Sequence, residues 1–295
     1  MILLPLNFNY KGLNLGLGIL DINSIIPHEE TRPDILSELS WCITRQGYFS
    51  QPVMVDRNSF VVLDGMHRVS ALKNLHCLRI PACLINYSDP SIDLGAWYRT
   101  IRTPQPIESL LASITELGID SSPSDLDDAL NDLKHRETTA ILASKSKSYA
   151  LGSEIEHIEE SYDVINSIEG ALLARGCYIR YETEVESMKK LRLGGVDLVL
   201  MTPVIKKSEV IAVARSGRLF SPKATRHMIP FCTINIRVPL DLLNDISISV
   251  KEADSWLVNY LRNRRPTFLP PESGFKGKRY DEESFIFKDE LETSS

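Results

Sequence analysis

The sequence predicts a mixed α/β (α+β) fold divided into two lobes. Short β-rich runs alternate with amphipathic helical segments along most of the 295 residues. A chain of this length accommodates one large or two medium domains. With 43% hydrophobic and 24% charged residues, the composition is ordinary for a globular protein and argues against extensive disorder.

The first lobe, assigned to residues 1–103, alternates short strands with helices. A helix is predicted at 33–46, because Pro33 stands at its start, apolar residues recur at helical spacing and Gly47 ends it. β-rich runs and a second periodic segment complete a compact unit, with strands at 19–27, 52–56, 60–63 and 79–87 and a helix at 66–75.

The second domain, assigned to residues 104–265, begins after a proline-rich stretch with a helical insertion. Segment 106–137 is amphipathic and carries eight acidic residues against two basic ones. Mixed α/β structure follows, with strands predicted at 176–186, 196–202, 208–214 and 231–238 and helices at 239–246 and 252–263. Residues 266–295 are rich in proline and charge, so we expect an extended C-terminal arm or tail.

Charge and cysteine content narrow the function classes. The net charge of -6 disfavours non-specific binding to nucleic acids or anionic membranes, which needs basic patches. No apolar run approaches the roughly 18 residues of a membrane-spanning helix, and we expect no signal peptide. Five cysteines, widely spaced and without a CxxC pair, argue against a disulfide framework or a zinc site. We therefore expect a cytoplasmic protein without a membrane partner.

The strongest local pattern is a β-rich run that ends in a glycine turn and a helix start, at residues 61–68. Backbone N–H groups in the first turn of a helix, together with a nearby arginine, can hold a phosphate. The same pattern also fits an ordinary strand–turn–helix in which glycine serves geometry and Arg68 lies on the surface.

Two further segments carry candidate polar groups. Glu29 and Glu30 follow the first predicted strand and could supply a general base or a metal ligand, or could lie in a solvated loop whose acids favour the next helix. Residues 223–227 form a basic, hydroxyl-bearing loop that could hold a carboxylate or a phosphate.

Taken together and in order, these motifs resemble those of the ParB/sulfiredoxin superfamily. Asp64-Gly65-Met66-His67-Arg68 matches the signature of that superfamily. The closest likeness is to the free L-serine kinases, which include an archaeal ADP-dependent type and a bacterial ATP-dependent type. The matching segments lie within residues 20–245 and are Ile26-Pro27-His28-Glu29, Trp97 and Thr225-Arg226-His227.

The resemblance implies a role for each matched residue. Glu29 is the general base, or Glu30 if the match is shifted by one, and Asp64 orients the hydroxyl or magnesium. The nucleotide phosphates are held by the turn that comprises Gly65, Met66, His67 and Arg68, where Met66 replaces a histidine of some members. The amino-acid part of serine is recognised by Trp97, Thr225, Arg226 and His227.

The implied activity is phosphorylation of free L-serine in a cleft between the lobes, with ATP or ADP as donor. Phosphate chemistry implies Mg²⁺, although no dedicated metal site is visible in the sequence. The product would serve cysteine or 2,3-diaminopropionate and siderophore biosynthesis. Homoserine and threonine remain alternative substrates, and the C-terminal tail could close the cleft or form a homodimer.

Two other functions of the superfamily compete with this interpretation. A ParB-like, nucleotide-dependent DNA-binding or transcriptional regulatory protein is the alternative, but the helices after the signature domain are acidic, which disfavours contact with DNA. Sulfiredoxin chemistry needs a cysteine where Met66 stands, and a thioether cannot form the sulfur intermediate.

Overall fold

The computed structural model describes residues 6–10, 12–262, 264, 266–271, 273–275, 278–280 and 283–287. The chain divides into two compact units. The first unit comprises Met1–Asp93 and His227–Ser295, and the second comprises Leu94–Arg226. The mixed α/β class predicted from the sequence is confirmed.

The elements are numbered in chain order. Up to the first crossing between units they are β1 (Leu6–Tyr10), β2 (Leu13–Asp21), α1 (Pro33–Gln46), β3 (Tyr48–Phe49), β4 (Val53–Asp56), β5 (Val62–Asp64), α2 (Met66–Asn74), β6 (Arg79–Ile85) and β7 (Asp93–Gly95). The second unit adds β8 (Trp97–Arg102), α3 (Ile107–Thr115), β9 (Ser121–Ser124), α4 (Leu126–His135), β10 (Ala140–Ala143), β11 (Ser148–Leu151), α5 (Ile158–Ala174), β12 (Tyr178–Thr183), α6 (Glu184–Leu193), β13 (Leu198–Met201) and α7 (Lys207–Ser216). The chain returns through β14 (Arg226–Met228) to β15 (Phe231–Ile234), β16 (Val238–Pro239), α8 (Leu240–Asn244), α9 (Val250–Arg262), β17 (Pro266–Leu269), β18 (Ser273–Phe275), β19 (Lys278–Tyr280) and β20 (Glu283–Phe287).

The first unit is built on a five-stranded sheet with the order β1-β2-β6-β4-β5. Strand β6 is antiparallel to β2 and parallel to β4, and every residue of β4 and β6 is buried. Strands buried on both faces read as continuous apolar runs rather than as alternating patterns. This rigid centre ends at β5, so the glycine turn that follows β5 starts from a fixed point.

The chain leaves the first unit after Asp93 and returns to it at His227. These two boundaries differ from those predicted at 103/104 and 265/266. Helix α9 packs against β2, where the amide of Ile19 donates to the Asp254 carboxylate at 2.5 Å. Strand β8, which the sequence places in the first lobe, lies inside the sheet of the second unit between β12 and β13. Contacts with elements that are distant in sequence thus place α9 in the first unit and β8 in the second.

The predicted C-terminal arm at 266–295 forms strands up to residue 287. Strand β20 pairs with β15 in parallel and with β17 in antiparallel orientation. Ser284, Ile286 and Phe287 are buried, so this segment packs into the unit. Residues 288–295 of the predicted tail lie outside the described residues, as do residues 1–5 of the segment in which we expect no signal peptide.

The second unit is built on a six-stranded sheet with the order β12-β8-β13-β10-β11-β9. Helices α4 and α6 pack against it, and the shared core includes Tyr98, Ile141 and Met201. The sequence analysis missed β10, β11, α5 and α6 of this unit.

Two predicted elements of the second unit are corrected. Residues 208–214, predicted as a strand, lie in helix α7, because Val210, Val213 and Ala214 share one buried helical face and Glu209 accepts the Lys206 amide at 2.7 Å. Segment 106–137 is two helices, α3 and α4, separated by the edge strand β9. Strand β9 pairs with β11, which interrupts the predicted helical insertion.

The predictions around the glycine turn hold, whereas the strand predicted at 19–27 is wrong beyond Asp21, because β2 spans Leu13–Asp21. Helix α1 has its predicted bounds, and the strands and helix around the glycine turn are β4, β5 and α2. All five cysteines are free thiols. Across the described part of the chain, none of the helices combines the length and the apolar character that crossing a membrane requires.

Candidate active site

Gly65 makes the turn between β5 and α2. Its φ of 103° lies in the left-handed region, and a Cβ there would stand 2.8 Å from Val53 Cγ1 and 2.9 Å from Arg68 Cζ. Only glycine fits both the conformation and the space. The chain can therefore turn into the helix directly at the end of a buried strand.

The first turn of α2 presents its backbone N–H groups. The first intrahelical hydrogen bond runs from Val69 N–H to the Gly65 carbonyl at 2.9 Å, so the amides of 66–68 precede it. Gly65 supplies no side-chain cap, and the first turn contains no acidic residue. A helix N-terminus of this kind favours an anion such as a phosphate.

Arg68 is held against Asp64. Its Nη1 donates to the carbonyls of Gln51 at 3.0 Å and Pro52 at 2.6 Å, and its Nη2 donates to Asp64 Oδ2 at 2.5 Å. The Asp64 side chain is 54% exposed, whereas that of Arg68 is 13% exposed. Arg68 thus orients the exposed carboxylate and places positive charge beside the turn, and direct contact with phosphate stays a prediction.

His67 connects α2 to the segment that contains Glu29. The backbone N–H of Arg32 donates to His67 Nε2 at 3.0 Å. A nitrogen that accepts a hydrogen bond carries no proton, so the ring proton of neutral His67 lies on Nδ1. The imidazole therefore has a defined donor edge.

His28 makes the second connection to the same segment. Its ring is fully buried, and Nδ1–H donates to the Val62 carbonyl at 2.6 Å. Burial lowers the pKa of His28, against smaller opposing effects of Glu29 and of the Val62 carbonyl. Ile26 adds backbone hydrogen bonds to Phe60 and Val62, both at 2.9 Å.

Glu29 lies between these two connections. His28 precedes it, and Arg32 follows three residues later. Glu29 is half-buried, whereas Glu30 is exposed to solvent. The structure therefore favours Glu29 over Glu30 as the carboxylate with a defined environment.

His227 lies in the same unit and contacts Tyr87 and His28. The Tyr87 hydroxyl and His227 Nε2 are 2.8 Å apart and hydrogen-bonded. The His28 and His227 rings meet edge to face, with centroids 5.3 Å apart. A sequence-predicted substrate residue is thus brought next to the segment that carries the predicted base.

In the second unit, the Trp97 side chain contacts three residues of the basic loop, which are Lys223, Thr225 and Arg226. The indole N–H donates to the Thr225 carbonyl at 3.0 Å. Lys223 Nζ lies 5.0 Å and Arg226 Cζ 5.9 Å from the ring centroid, at cation–π distance. Arg226 also pairs with Glu184 at 2.7 Å. This cluster combines an aromatic face with positive charge.

A buried polar network supports the backbone of Trp97. Arg99 Nη1 donates to the Trp97 carbonyl at 2.5 Å, and the Thr202 hydroxyl donates to it at 3.2 Å. Arg99 pairs through Nε with Glu169 at 2.6 Å, and Glu169 also accepts from the Tyr181 hydroxyl at 2.6 Å. The position of Trp97 therefore depends on charges inside the unit.

The structure divides the predicted site residues between the units. Glu29, the turn 64–68 and His227 lie in the first unit, and Trp97, Thr225 and Arg226 lie in the second. Sequence reasoning missed the residues that support the site, which are Arg32, Tyr87, Arg99, Glu169 and Glu184. Lys223, which also lies near Trp97, was included in the basic loop that the sequence analysis identified.

A magnesium ion fits the residues of the turn in a limited way. Mg²⁺ commonly binds through one or two carboxylates plus substrate phosphates and water. Asp64 offers one exposed carboxylate beside the helix N-terminus. Within the described ranges, no group of three or more acidic, histidine or cysteine side chains could hold a metal ion.

Comparison with known proteins identifies clear relatives, although no protein-family model matches the chain. It is 29% identical over 233 residues to an ATP-dependent L-serine kinase of Staphylothermus marinus. The match covers 76% of this chain and 90% of that protein. It is 23% identical over 230 residues to an ADP-dependent L-serine kinase of Thermococcus kodakarensis, with 76% and 91% covered. A free serine kinase variant in complex with ADP has a TM-score of 0.68 at 21% identity, covering 77% of this chain and 93% of that one.

Proposed function

We propose that this chain, which is related in sequence to the L-serine kinases and shares the fold of a free serine kinase, phosphorylates the hydroxyl of free L-serine. The observation that carries the proposal is the uncapped helix N-terminus at Gly65 with two carboxylates, Asp64 and Glu29, connected to the same strand–turn–helix segment. Phosphoryl transfer needs such positioning and charge more than covalent help.

The nucleotide is bound through its terminal phosphates. The amides of the first turn of α2 and the Nδ1–H of His67 donate to phosphate oxygens, and Arg68 adds positive charge. Asp64 is the residue that would hold Mg²⁺ together with phosphate oxygens. When bound, the metal neutralises charge that develops on the transferred group.

Glu29 acts on the nucleophile. The serine Oγ attacks the terminal phosphorus, the bond from that phosphorus to its bridging oxygen breaks, and ADP or AMP leaves according to the donor. The hydroxyl proton passes to the Glu29 carboxylate. The products are O-phospho-L-serine and the shortened nucleotide.

The residues proposed for serine recognition are Trp97, Thr225, Arg226 and His227. Support comes from the positive charge at the Trp97 face and from the defined ring position of His227. A carboxylate is the group that such cationic surroundings attract. Cysteine or diaminopropionate and siderophore biosynthesis are the pathways that this product would serve.

A donor and acceptor panel tests the proposal. Purified protein and Mg²⁺ are mixed with L-serine, L-homoserine or L-threonine, each with ATP or ADP, and products are identified by mass spectrometry. We expect O-phosphoserine with one preferred donor. One related L-serine kinase is ATP-dependent and another is ADP-dependent, so the panel also decides between the two donors.

The same preparation addresses the regulatory alternative. A ParB-like role predicts nucleotide-dependent, salt-sensitive DNA binding. The surface of α3 and α4 opposes it, because the segment from 106 to 137 carries eight acidic and two basic residues. DNA binding with no phosphorylated product from any acceptor would replace the kinase proposal.

A further inference from the structure

Tyr87 is fixed from both its backbone and its ring. Its backbone N–H donates to Asp56 Oδ1 at 3.0 Å, and the other carboxylate oxygen of Asp56 accepts from the amide and hydroxyl of Ser59. Asp56 is itself buried, and Tyr87 is 1% exposed. The phenol therefore projects from a rigid corner at the end of the β6 segment.

The hydroxyl of Tyr87 meets a residue from the far end of the sequence. It lies 2.8 Å from His227 Nε2, and the two rings are 5.3 Å apart and tilted. Burial, reinforced by the nearby Asp56 carboxylate, raises the pKa of Tyr87 well above its usual range, so the phenol keeps its proton. A phenol can donate to neutral imidazole or accept from imidazolium, so the contact suits both forms of His227.

This contact holds the His227 ring at its Nε2 edge. Nε2 is bound to Tyr87, and His28 packs edge to face against the ring at 5.3 Å. The Nδ1 edge is on the other side of an imidazole from the direction in which Nε2 bonds. Two buried side chains thus fix the orientation of a ring that the proposed function assigns to serine.

We propose that Tyr87 is a positioning residue for His227 and thereby sets the affinity for the amino-acid substrate without affecting the affinity for nucleotide. The proposal rests on the proposed function for the identity of the substrate. Tyr87 has no part in the chemical step.

The test compares Tyr87→Phe with Tyr162→Phe. Tyr162 is also fully buried and also uses its hydroxyl in one short hydrogen bond, to the Pro203 carbonyl at 2.6 Å in the other unit. Loss of one hydrogen bond is worth about 0.5–1.5 kcal/mol. Tyr87→Phe should therefore raise KM for L-serine roughly two- to tenfold with KM for nucleotide unchanged, and Tyr162→Phe should change neither constant.

A second readout is independent of turnover. The chain has six histidines, so the ring nitrogens of His227 can be assigned by ¹⁵N NMR with single His→Gln variants. Tyr87→Phe should shift the Nε2 resonance of His227, and Tyr162→Phe should not. An unchanged His227 resonance, or equal rises of both KM values, would overturn the proposal. If the wild-type protein makes no phosphoserine, the proposed function fails and the His227 resonance alone decides whether Tyr87 positions it.

Discussion

The backbone N–H of Arg32 donates a hydrogen bond to His67 Nε2 at 3.0 Å. This bond joins the segment that carries Glu29 to the first turn of α2, which has no side-chain cap. His28 makes a parallel connection through the Val62 carbonyl at 2.6 Å. His67 and His28 therefore connect the segment of the predicted base to the predicted phosphate turn. In each imidazole the hydrogen-bond partner defines which ring nitrogen carries the proton.

Replacement of the predicted base should remove turnover and leave the fold intact. Glu29→Gln keeps the size of the side chain but cannot accept the hydroxyl proton, so we expect kcat to fall about 10²–10⁴-fold. Steady-state kinetics with L-serine measures this, and circular dichroism checks folding. Glu30→Gln, at the exposed neighbour, is the matched control and should retain activity. Full activity in Glu29→Gln would exclude Glu29 as the base.

The turn glycine should be intolerant of a methyl group. Gly65→Ala adds backbone strain of about 1–2 kcal/mol and a clash with Val53 and Arg68, so both stability and nucleotide affinity should fall. Gly47→Ala is the control, because Gly47 also has positive φ but a Cβ there would meet nothing within 4 Å. Calorimetric titration with nucleotide should show a loss for the first variant only. Equal affinities would argue against the phosphate role of this turn.

Stability should fall as the pH drops below the ordinary histidine pKa. Burial lowers the pKa of His28 in the folded chain, so near pH 6.5 and below the unfolded chain binds the proton more readily. The stabilising effect of neutral His28 is present above about pH 6.5 and is lost as the pH falls through the folded pKa.

Denaturant unfolding at pH 7.5 and pH 5.5 measures this loss. In His28→Asn, the stability difference between the two pH values should shrink. His135→Asn, at an exposed helix residue, should keep the wild-type difference. An unchanged pH dependence in His28→Asn would contradict the assignment.

The buried pair beneath Trp97 should be costly to break. Arg99 and Glu169 have side chains that are 1% and 7% exposed. Removal of one partner from a buried pair typically costs about 3–5 kcal/mol, so Arg99→Met should lower the midpoint of thermal unfolding strongly. The exposed pair Lys147 and Glu108 gives the control, and Lys147→Met should leave the midpoint unchanged. Similar midpoints for the two variants would show that the network does not support the unit.

Local signals in the sequence predicted the elements around the turn. Helix α1 has its predicted bounds because Pro33 starts it and Gly47, at φ 72°, ends it. Strand β5, Gly65 and α2 follow the predicted order, because glycine is the residue that tolerates the left-handed turn. Periodicity and turn chemistry act over a few residues, so one sequence was sufficient there.

Long-range contacts could not be predicted in this way. Tyr87 and His227 are 140 residues apart in the chain, and Arg99 and Glu169 are 70 apart. For the same reason the sequence predicted an extended arm where the structure has a strand, because β20 forms by pairing with β15 and β17. At residues 208–214, β-branched side chains suggested a strand, but the spacing of Val210, Val213 and Ala214 places them on one helical face.

The central claim is that the serine hydroxyl attacks the terminal phosphorus of a nucleotide. Donor labelled with ¹⁸O in the terminal phosphoryl group, incubated with unlabelled L-serine, Mg²⁺ and the protein, tests it most directly. The account predicts O-phosphoserine whose non-bridging oxygens carry ¹⁸O and whose bridging oxygen comes from serine. Labelled inorganic phosphate without phosphoserine, or no consumption of either donor, would contradict it.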